Sequence, residues 1–231
     1  MEMKEDYLKA VEYQKSGKYQ EALELFTKLA EEGCADSQNA LGNIYAQGKI
    51  VAQNLTSAVK WYRLAAEKGH HGAEYWLGYM CEHGYGTPKD IKEAVKWYQQ
   101  SANHGNEQAY YRLGQMYELG IGVELDLDKA IYNYETSAYL GLASGQYAYG
   151  RMLYHGTGVQ KDMVKAFELF LKSAEQGYGY AQQQVGNMYW YGEGVDEDKK
   201  LAEQWLRLAN NNTVYESLTY YSSWQDLIKK K

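Results

Sequence analysis

The sequence predicts an all-α fold, a single solenoid domain of repeated helical units, and three observations carry that expectation. The first is a fixed period. Stepping 36 residues from Gly78 reaches Gly42, Gly114, Gly150 and Gly186, and the same step from Ala94 reaches Ala22, Ala58, Ala130, Ala166 and Ala202. The second is that 19 of the 23 glycines fall into four such registers, so glycine marks positions in a unit and is not scattered through loops. The third is helical spacing of the apolar residues between those glycines, in a chain of 231 residues with one proline.

Taken in order, residues 7–33 hold two helical bouts, Tyr7, Leu8, Ala10 and Val11, then Tyr19, Ala22, Leu23, Leu25, Phe26 and Leu29, with Gly17 between them. Five longer units follow, in which 16 residues separate Gly42 from Ala58 and each later pair, so the turn between paired helices is longer than in the first unit. Gly42 and its copies sit inside the first helix of each pair. Glycine there costs about 1 kcal/mol relative to alanine, and close approach of Ala58 and its copies from the second helix is the expected compensation. Gly33 and its copies are expected to end second helices in a left-handed conformation. Asn54, Asp90, Asp126, Asp162 and Asp198 are expected N-caps, and Asp90 with Glu93 has the spacing of a reciprocal capping box. Beyond Asn210, the residues Val214, Leu218, Tyr221, Leu227 and Ile228 predict a C-terminal capping helix over 213–231.

The first unit, 1–34, resembles a tetratricopeptide repeat through Ala10, Tyr13, Ala22 and Phe26. The longer unit, Ala-x-x-x-Leu-Gly-x-x-Tyr-x-x-Gly-x-Gly-Val-x-x-Asp-x-x-Lys-Ala-x-x-Trp-Tyr-x-x-Ala-Ala-x-x-Gly, resembles the Sel1-like repeat over 35–212. Departures are local: Ile50 replaces the second loop glycine, Cys81 and Leu153 replace the tyrosine, and Asn133 and Leu169 replace the tryptophan. The resemblance implies antiparallel helix pairs stacked in a right-handed superhelix, and an adaptor or scaffold without catalysis of its own.

Composition excludes several other functions. The net charge of −6 and a single basic run, Lys229, Lys230 and Lys231, do not suit phosphate neutralisation, so no nucleic-acid partner is expected. Cys34 and Cys81 are too few for a disulfide framework, and His70, His71, His83, His104 and His155 lack metal-ligand spacing, so neither metal nor cofactor is expected. The Gly-x-Gly pairs recur between helices, where turn geometry explains them better than phosphate binding does. No nucleophile is spaced to a base. The start has no apolar signal region and no run reaches membrane-span length. A cytoplasmic location follows if Met1 is the natural start, and a periplasmic or secreted one if a leader preceded it.

The expected site is the inner wall. By the resemblance, first helices line a concave surface at three positions before and one, four and five after the small residue. Helical period places those offsets on one side. They give Tyr75, Tyr111 and Tyr147 before the glycine; Tyr79, Gln115, Arg151 and Asn187 just after it; and Glu118, Tyr154 and Trp190 a turn later. Large rigid side chains and amides of this kind are enriched at recognition surfaces. The expected partner is therefore a protein or extended peptide. An immunity-type inhibitor that occludes a toxin or effector is the alternative, and an enzyme without a recognisable motif is the third reading. Trp61, Trp97, Trp205, Tyr62 and Tyr98 are expected to be core residues of the second helices.

Overall fold

The structure is a computed structural model that describes the backbone of residues 2–219 and the side chains of 3–210. Twelve helices and no strand occur among the described residues. The chain divides into two compact units, Met1–Ala109 and Tyr110–Lys231.

The first unit contains α1 (Glu2–Lys15), α2 (Tyr19–Glu31), α3 (Ala35–Gln47), α4 (Leu55–Ala66), α5 (His71–His83) and α6 (Ile91–Asn103). Each helix packs on the next in sequence as far as α5 on α6, and α3 also touches α5. Ala10, Ala22, Phe26, Ala30, Leu41 and Ile44 form a core at its start. The second unit takes α7 (Glu107–Leu119) from Tyr110 onward, then α8 (Leu127–Tyr139), α9 (Ala143–His155), α10 (Met163–Glu175), α11 (Gly179–Tyr191) and α12 (Lys199–Thr219). Its core joins Tyr134, Met152, Phe170, Val185 and Met188, all nearly or fully buried. Burying a side chain of this size contributes roughly 1.5–3 kcal/mol, so the stack is held by many comparable layers.

The helical glycines face the core, but their nearest neighbours differ from the expected ones. A Cβ on Gly42 would lie 2.5 Å from the Tyr62 ring, on Gly114 2.6 Å from Tyr134, on Gly150 2.9 Å from Phe170 and on Gly186 2.7 Å from Leu206. The alanine one turn earlier contributes its backbone: a Cβ on Gly78, Gly150 or Gly186 would lie 3.2–3.3 Å from the carbonyl oxygen of Ala94, Ala166 or Ala202. The glycine thus makes room for a large side chain, and the alanine lets the two helix backbones draw together.

All five predicted caps form. Asn54 accepts from the Ser57 N–H, and Asp90, Asp126, Asp162 and Asp198 accept from Glu93, Lys129, Lys165 and Leu201, at 2.9–3.0 Å. The reciprocal half of the box at Asp90 is absent. The Asp90 N–H donates instead to the Cys81 carbonyl at 2.9 Å, and the Glu93 carboxylate turns to Arg63 and Trp97. Every long loop is closed by an equivalent bond, from the cap residue's N–H to the carbonyl at Tyr45, Cys81, Tyr117, Leu153 or Tyr189. This explains why Cys81 and Leu153 can stand where tyrosine recurs, since the loop requires only the carbonyl of that position.

One further expectation needs correction. Tyr62 and Tyr98 are fully buried, whereas Trp61, Trp97 and Trp205 are only half-buried. Each precedes the core position by one residue and so lies on its flank, where Trp61 and Trp205 still pack against the core. At the C-terminus, α12 runs through 210–212 without a break, so no boundary separates it from Val214 and Leu218. Residues 220–231, which include Tyr221, Leu227 and Ile228 of the expected cap, lie outside the described residues. No helix among the described residues is long and apolar enough to cross a membrane.

Candidate functional site

The position three before the helical glycine builds the first layer. The Tyr75 ring lies 5.6 Å from Tyr98, Tyr111 5.9 Å from Tyr134, and Tyr147 5.5 Å from Phe170. Each is half-buried, with one side of its ring against the second-helix aromatic below the glycine. The same contact that explains the glycine therefore also fixes the tyrosine, a packing role that spacing alone leaves open. Burial pushes the Tyr147 hydroxyl above its ordinary value, so the phenol is neutral near pH 7.

The acids a turn later are anchored rather than free. Tyr98 donates to Glu82 at 2.8 Å and Tyr134 to Glu118 at 2.7 Å, and in the first full repeat Tyr62 donates to Asn43 at 2.7 Å. Glu118 also receives Arg151 Nη2 at 2.6 and 2.7 Å, with its side chain 16% exposed. Burial raises the Tyr134 hydroxyl pKa, and the adjacent Glu118 carboxylate raises it further. For Arg151 burial opposes the charge, but the Glu118 carboxylate more than offsets that penalty. This ion pair links α7 to α9.

Between these layers lie amides and further rings. Gln115 donates to the Tyr111 hydroxyl at 2.9 Å and accepts from Arg112 at 2.6 Å, which orients its amide. Tyr154 donates to Glu193 at 2.5 Å, joining α9 to the loop after α11. Trp190 is 36% exposed, with the Lys199 ammonium 4.7 Å over its ring, and Asn187 is half-buried. In the first unit the Tyr79 ring lies 4.2 Å from His83, tilted against it, and 5.8 Å from Trp76, edge to face. His83 Nδ1 must carry the proton, because its partner is the Tyr79 carbonyl at 2.9 Å.

The predicted residues thus fall into two sets. Tyr111, Gln115, Glu118, Tyr147, Arg151, Tyr154, Asn187 and Trp190 belong to the second unit, where cross-helix bonds join several of them. Tyr75 and Tyr79 belong to the first, with Trp76, His83 and Tyr85 as aromatic neighbours. Sequence reasoning passed over Tyr178 and Tyr180 at the start of α11, whose rings lie 5.4 and 6.2 Å from Tyr147. Their register in the preceding turn gave no signal of that contact. Among the described residues no group of three or more His, Cys, Asp or Glu side chains is placed to hold a metal ion. The thiol of buried Cys81 is pushed up to about 11 by burial, which leaves it protonated at neutral pH.

The Sel1 repeat profile matches residues 14–34, 35–70, 71–106, 107–142, 143–178 and 179–213, and so takes in the N-terminal repeat 1–34, expected as tetratricopeptide-like, from residue 14 onward. A Sel1 repeat protein from Oxalobacter formigenes is similar over 98% of this chain and 97% of its own, with a TM-score of 0.82 and 28% identity. A protective antigen of uropathogenic Escherichia coli displaying an SLR fold is 37% identical, with a TM-score of 0.77, over 86% of this chain. The chain spans 44% of that antigen's length. An immunity protein from Pseudomonas aeruginosa shares the fold at 19% identity and a TM-score of 0.58, covering 91% of this chain and 82% of its own. No curated protein matches the chain. Sel1 repeats generally mediate protein–protein interaction and are typically non-catalytic scaffolds. With six repeats over residues 14–213 and an all-helical SLR solenoid fold, the chain belongs to the Sel1 repeat family.

Proposed function

We propose that the chain is a non-catalytic adaptor that takes a segment of a partner protein on the first-helix face of its second unit. Tyr111, Gln115, Tyr147, Arg151, Tyr154, Asn187 and Trp190 provide the contacts, and Tyr75 and Tyr79 provide a second contact set on the first unit. The observation that carries this reading is the bonding around Arg151 and Gln115. Glu118 holds the guanidinium, and Tyr111 and Arg112 hold the amide, so polar groups that could recognise a peptide backbone are fixed before binding. Preorganised donors and rigid rings lose little entropy on association. Glu118 acts as a positioning residue here, since its carboxylate is occupied by Tyr134 and Arg151.

A photo-crosslinking amino acid placed at Tyr147 tests the reading, with the 88% exposed Tyr139 as the comparison site. Saturable crosslinking to a defined protein from position 147 but not from 139 is expected. Equal crosslinking from both would remove the assignment of this face. The likeness to the Pseudomonas immunity protein extends to the fold alone, and no arrangement of side chains favours an inhibitory role over an adaptor.

A further inference from the structure

We infer that the first unit carries a second binding site, a lysine-lined cleft that receives a carboxylate of a protein partner. The argument begins at the second loop glycine. In three repeats a Cβ at this glycine would run into the residue 31 positions earlier, at the start of the preceding second helix: Gly86 against Leu55, Gly158 against Leu127, and Gly194 against Met163. These glycines have φ of 68–71°, and the loop closes directly on that helix start.

In the first full repeat the equivalent residue is Ile50, and 31 positions earlier is Tyr19, the first residue of α2. Ile50 has a Cβ, and its φ is not positive. It does not adopt the left-handed turn, and its Cβ occupies the place where the glycines let the loop close on the helix start. A cleft of about 390 Å³ opens there, lined by Gln14, Lys15, Tyr19, Asn43, Ile44, Gln47, Lys49 and Ile50.

The chemistry of the lining selects the ligand. Two lysines face the cleft and no acidic residue lines it, in a protein whose net charge is −6. Among the described residues, neither the Lys15 nor the Lys49 ammonium takes part in an ion pair or side-chain hydrogen bond. The amides of Gln14 and Gln47 and the Tyr19 hydroxyl add neutral donors, and Ile44 and Ile50 supply apolar surface. Two ammonium groups with neutral donors suit a carboxylate, and the isoleucines suit an apolar residue beside it. The inference takes from the proposed function only that the partner is a protein, and it does not use Tyr111 or Tyr147.

The test is a titration of the ¹⁵N-labelled full chain, followed by amide chemical shifts, with two peptide probes. Acetyl-Leu-Glu-Leu-amide presents a side-chain carboxylate, and acetyl-Leu-Leu-Leu with a free C-terminus presents a terminal one. Saturable shifts around Lys15, Gln47 and Lys49 are expected with at least one probe, weakening as salt is raised. Which probe binds identifies the source of the carboxylate. Lys15→Ala with Lys49→Ala should weaken that binding about tenfold or more, and Ile50→Gly should also weaken it by letting the loop close. Lys92→Ala with Lys96→Ala, on α6, should leave it unchanged, as should Tyr111→Ala with Tyr147→Ala. No saturable shift with either probe, unchanged binding in the Lys15 and Lys49 variant, or a stronger response to inorganic phosphate would each overturn the inference. A positive result with the Tyr111 and Tyr147 variant would also stand if the second-unit reading failed.

Discussion

Replacing Gly42 by alanine tests the packing account, because helix propensity and packing predict opposite signs. Propensity alone predicts a gain of about 1 kcal/mol at an interior helical position. The new Cβ, however, would lie 2.5 Å from Cδ1 and Cε1 of Tyr62, where ordinary contact begins near 3.4 Å. The ring cannot swing aside, since Tyr62 is fully buried and its hydroxyl donates to Asn43 at 2.7 Å. The spacing of α3 and α4 must therefore give by roughly 1 Å. Overpacking of this kind costs about 1–3 kcal/mol, and strain on the Tyr62 hydrogen bond adds up to about 1 kcal/mol. After the propensity gain, Gly42→Ala should destabilise by about 1–2 kcal/mol, a fall in Tm of roughly 2–8 °C at this chain length. At Gly78 the Cβ would lie 3.0 Å from Tyr98, a shortfall of a few tenths of an ångström. The two effects there should nearly cancel, leaving Tm within about 2 °C of the parent. Thermal unfolding followed by circular dichroism reads both variants. If both alanines raise Tm alike, the glycines are not there to admit the rings.

Three further outcomes follow from the same contacts. Ala94 is fully buried and Lys92 exposed, so Ala94→Leu should cost about 1–3 kcal/mol while Lys92→Leu stays within about 0.5 kcal/mol, as read by denaturant midpoints. Glu118→Gln keeps the shape but removes the charge that holds Arg151. Because the guanidinium side is 35% exposed, the loss should be about 1–2 kcal/mol, below the range for a fully buried pair. His70 caps α5 by accepting from the Ala73 N–H at 3.1 Å through Nδ1, so protonation there breaks the cap. Burial lowers its pKa, with the neighbouring Asp36 opposing and His71 adding to the effect. The unfolded chain then binds the proton more readily, so this contribution is fully present above pH 6.5 and lost as pH falls from there toward the depressed folded value. His70→Asn, which keeps a cap, should flatten the fall in Tm between pH 7.5 and 5; an unchanged slope would show that His70 does not set it.

Much of the fold was legible because the repeat states each constraint several times. The caps at Asn54, Asp90, Asp126, Asp162 and Asp198 could be read from a short oxygen-bearing residue before each second helix, and all five form. The glycine contact was read on Ala94, whose carbonyl does face Gly78, but the Tyr98 ring one turn on was missed, because residues four apart share a face and spacing does not say which one fills the space. The Asp90 and Glu93 box failed for a nonlocal reason: Arg63 on α4 competes for the same carboxylate at 2.9 Å. Within the candidate site, spacing placed the residues on first helices but gave no sign of what holds them. Glu118 looked like a contact residue, yet its oxygens are taken by Tyr134 and Arg151. The cleft beside Ile50 was visible only as a departure from glycine, since its consequence depends on the fit between a loop and a helix start 31 residues away.

These corrections sharpen the division of labour within each repeat. The recurrent glycines, alanines and cap residues set helix spacing and loop closure. The second-helix aromatics pack under the glycines and orient the tyrosines and acids above them. What remains to distinguish one repeat from the next is the set of residues around Gln115, Arg151, Tyr154 and Trp190, together with the Lys15 and Lys49 cleft.

The most direct test of the central claim is the affinity of the crosslinked partner, once identified, for two variants measured by calorimetry beside the parent. Tyr111→Ala with Tyr147→Ala alters the first-helix face of the second unit, and Tyr132→Ala with Tyr139→Ala alters exposed tyrosines of α8. With folding of both verified by circular dichroism, the first pair should bind at least tenfold more weakly and the second as tightly as the parent. Equal affinity of the two variants would contradict the account.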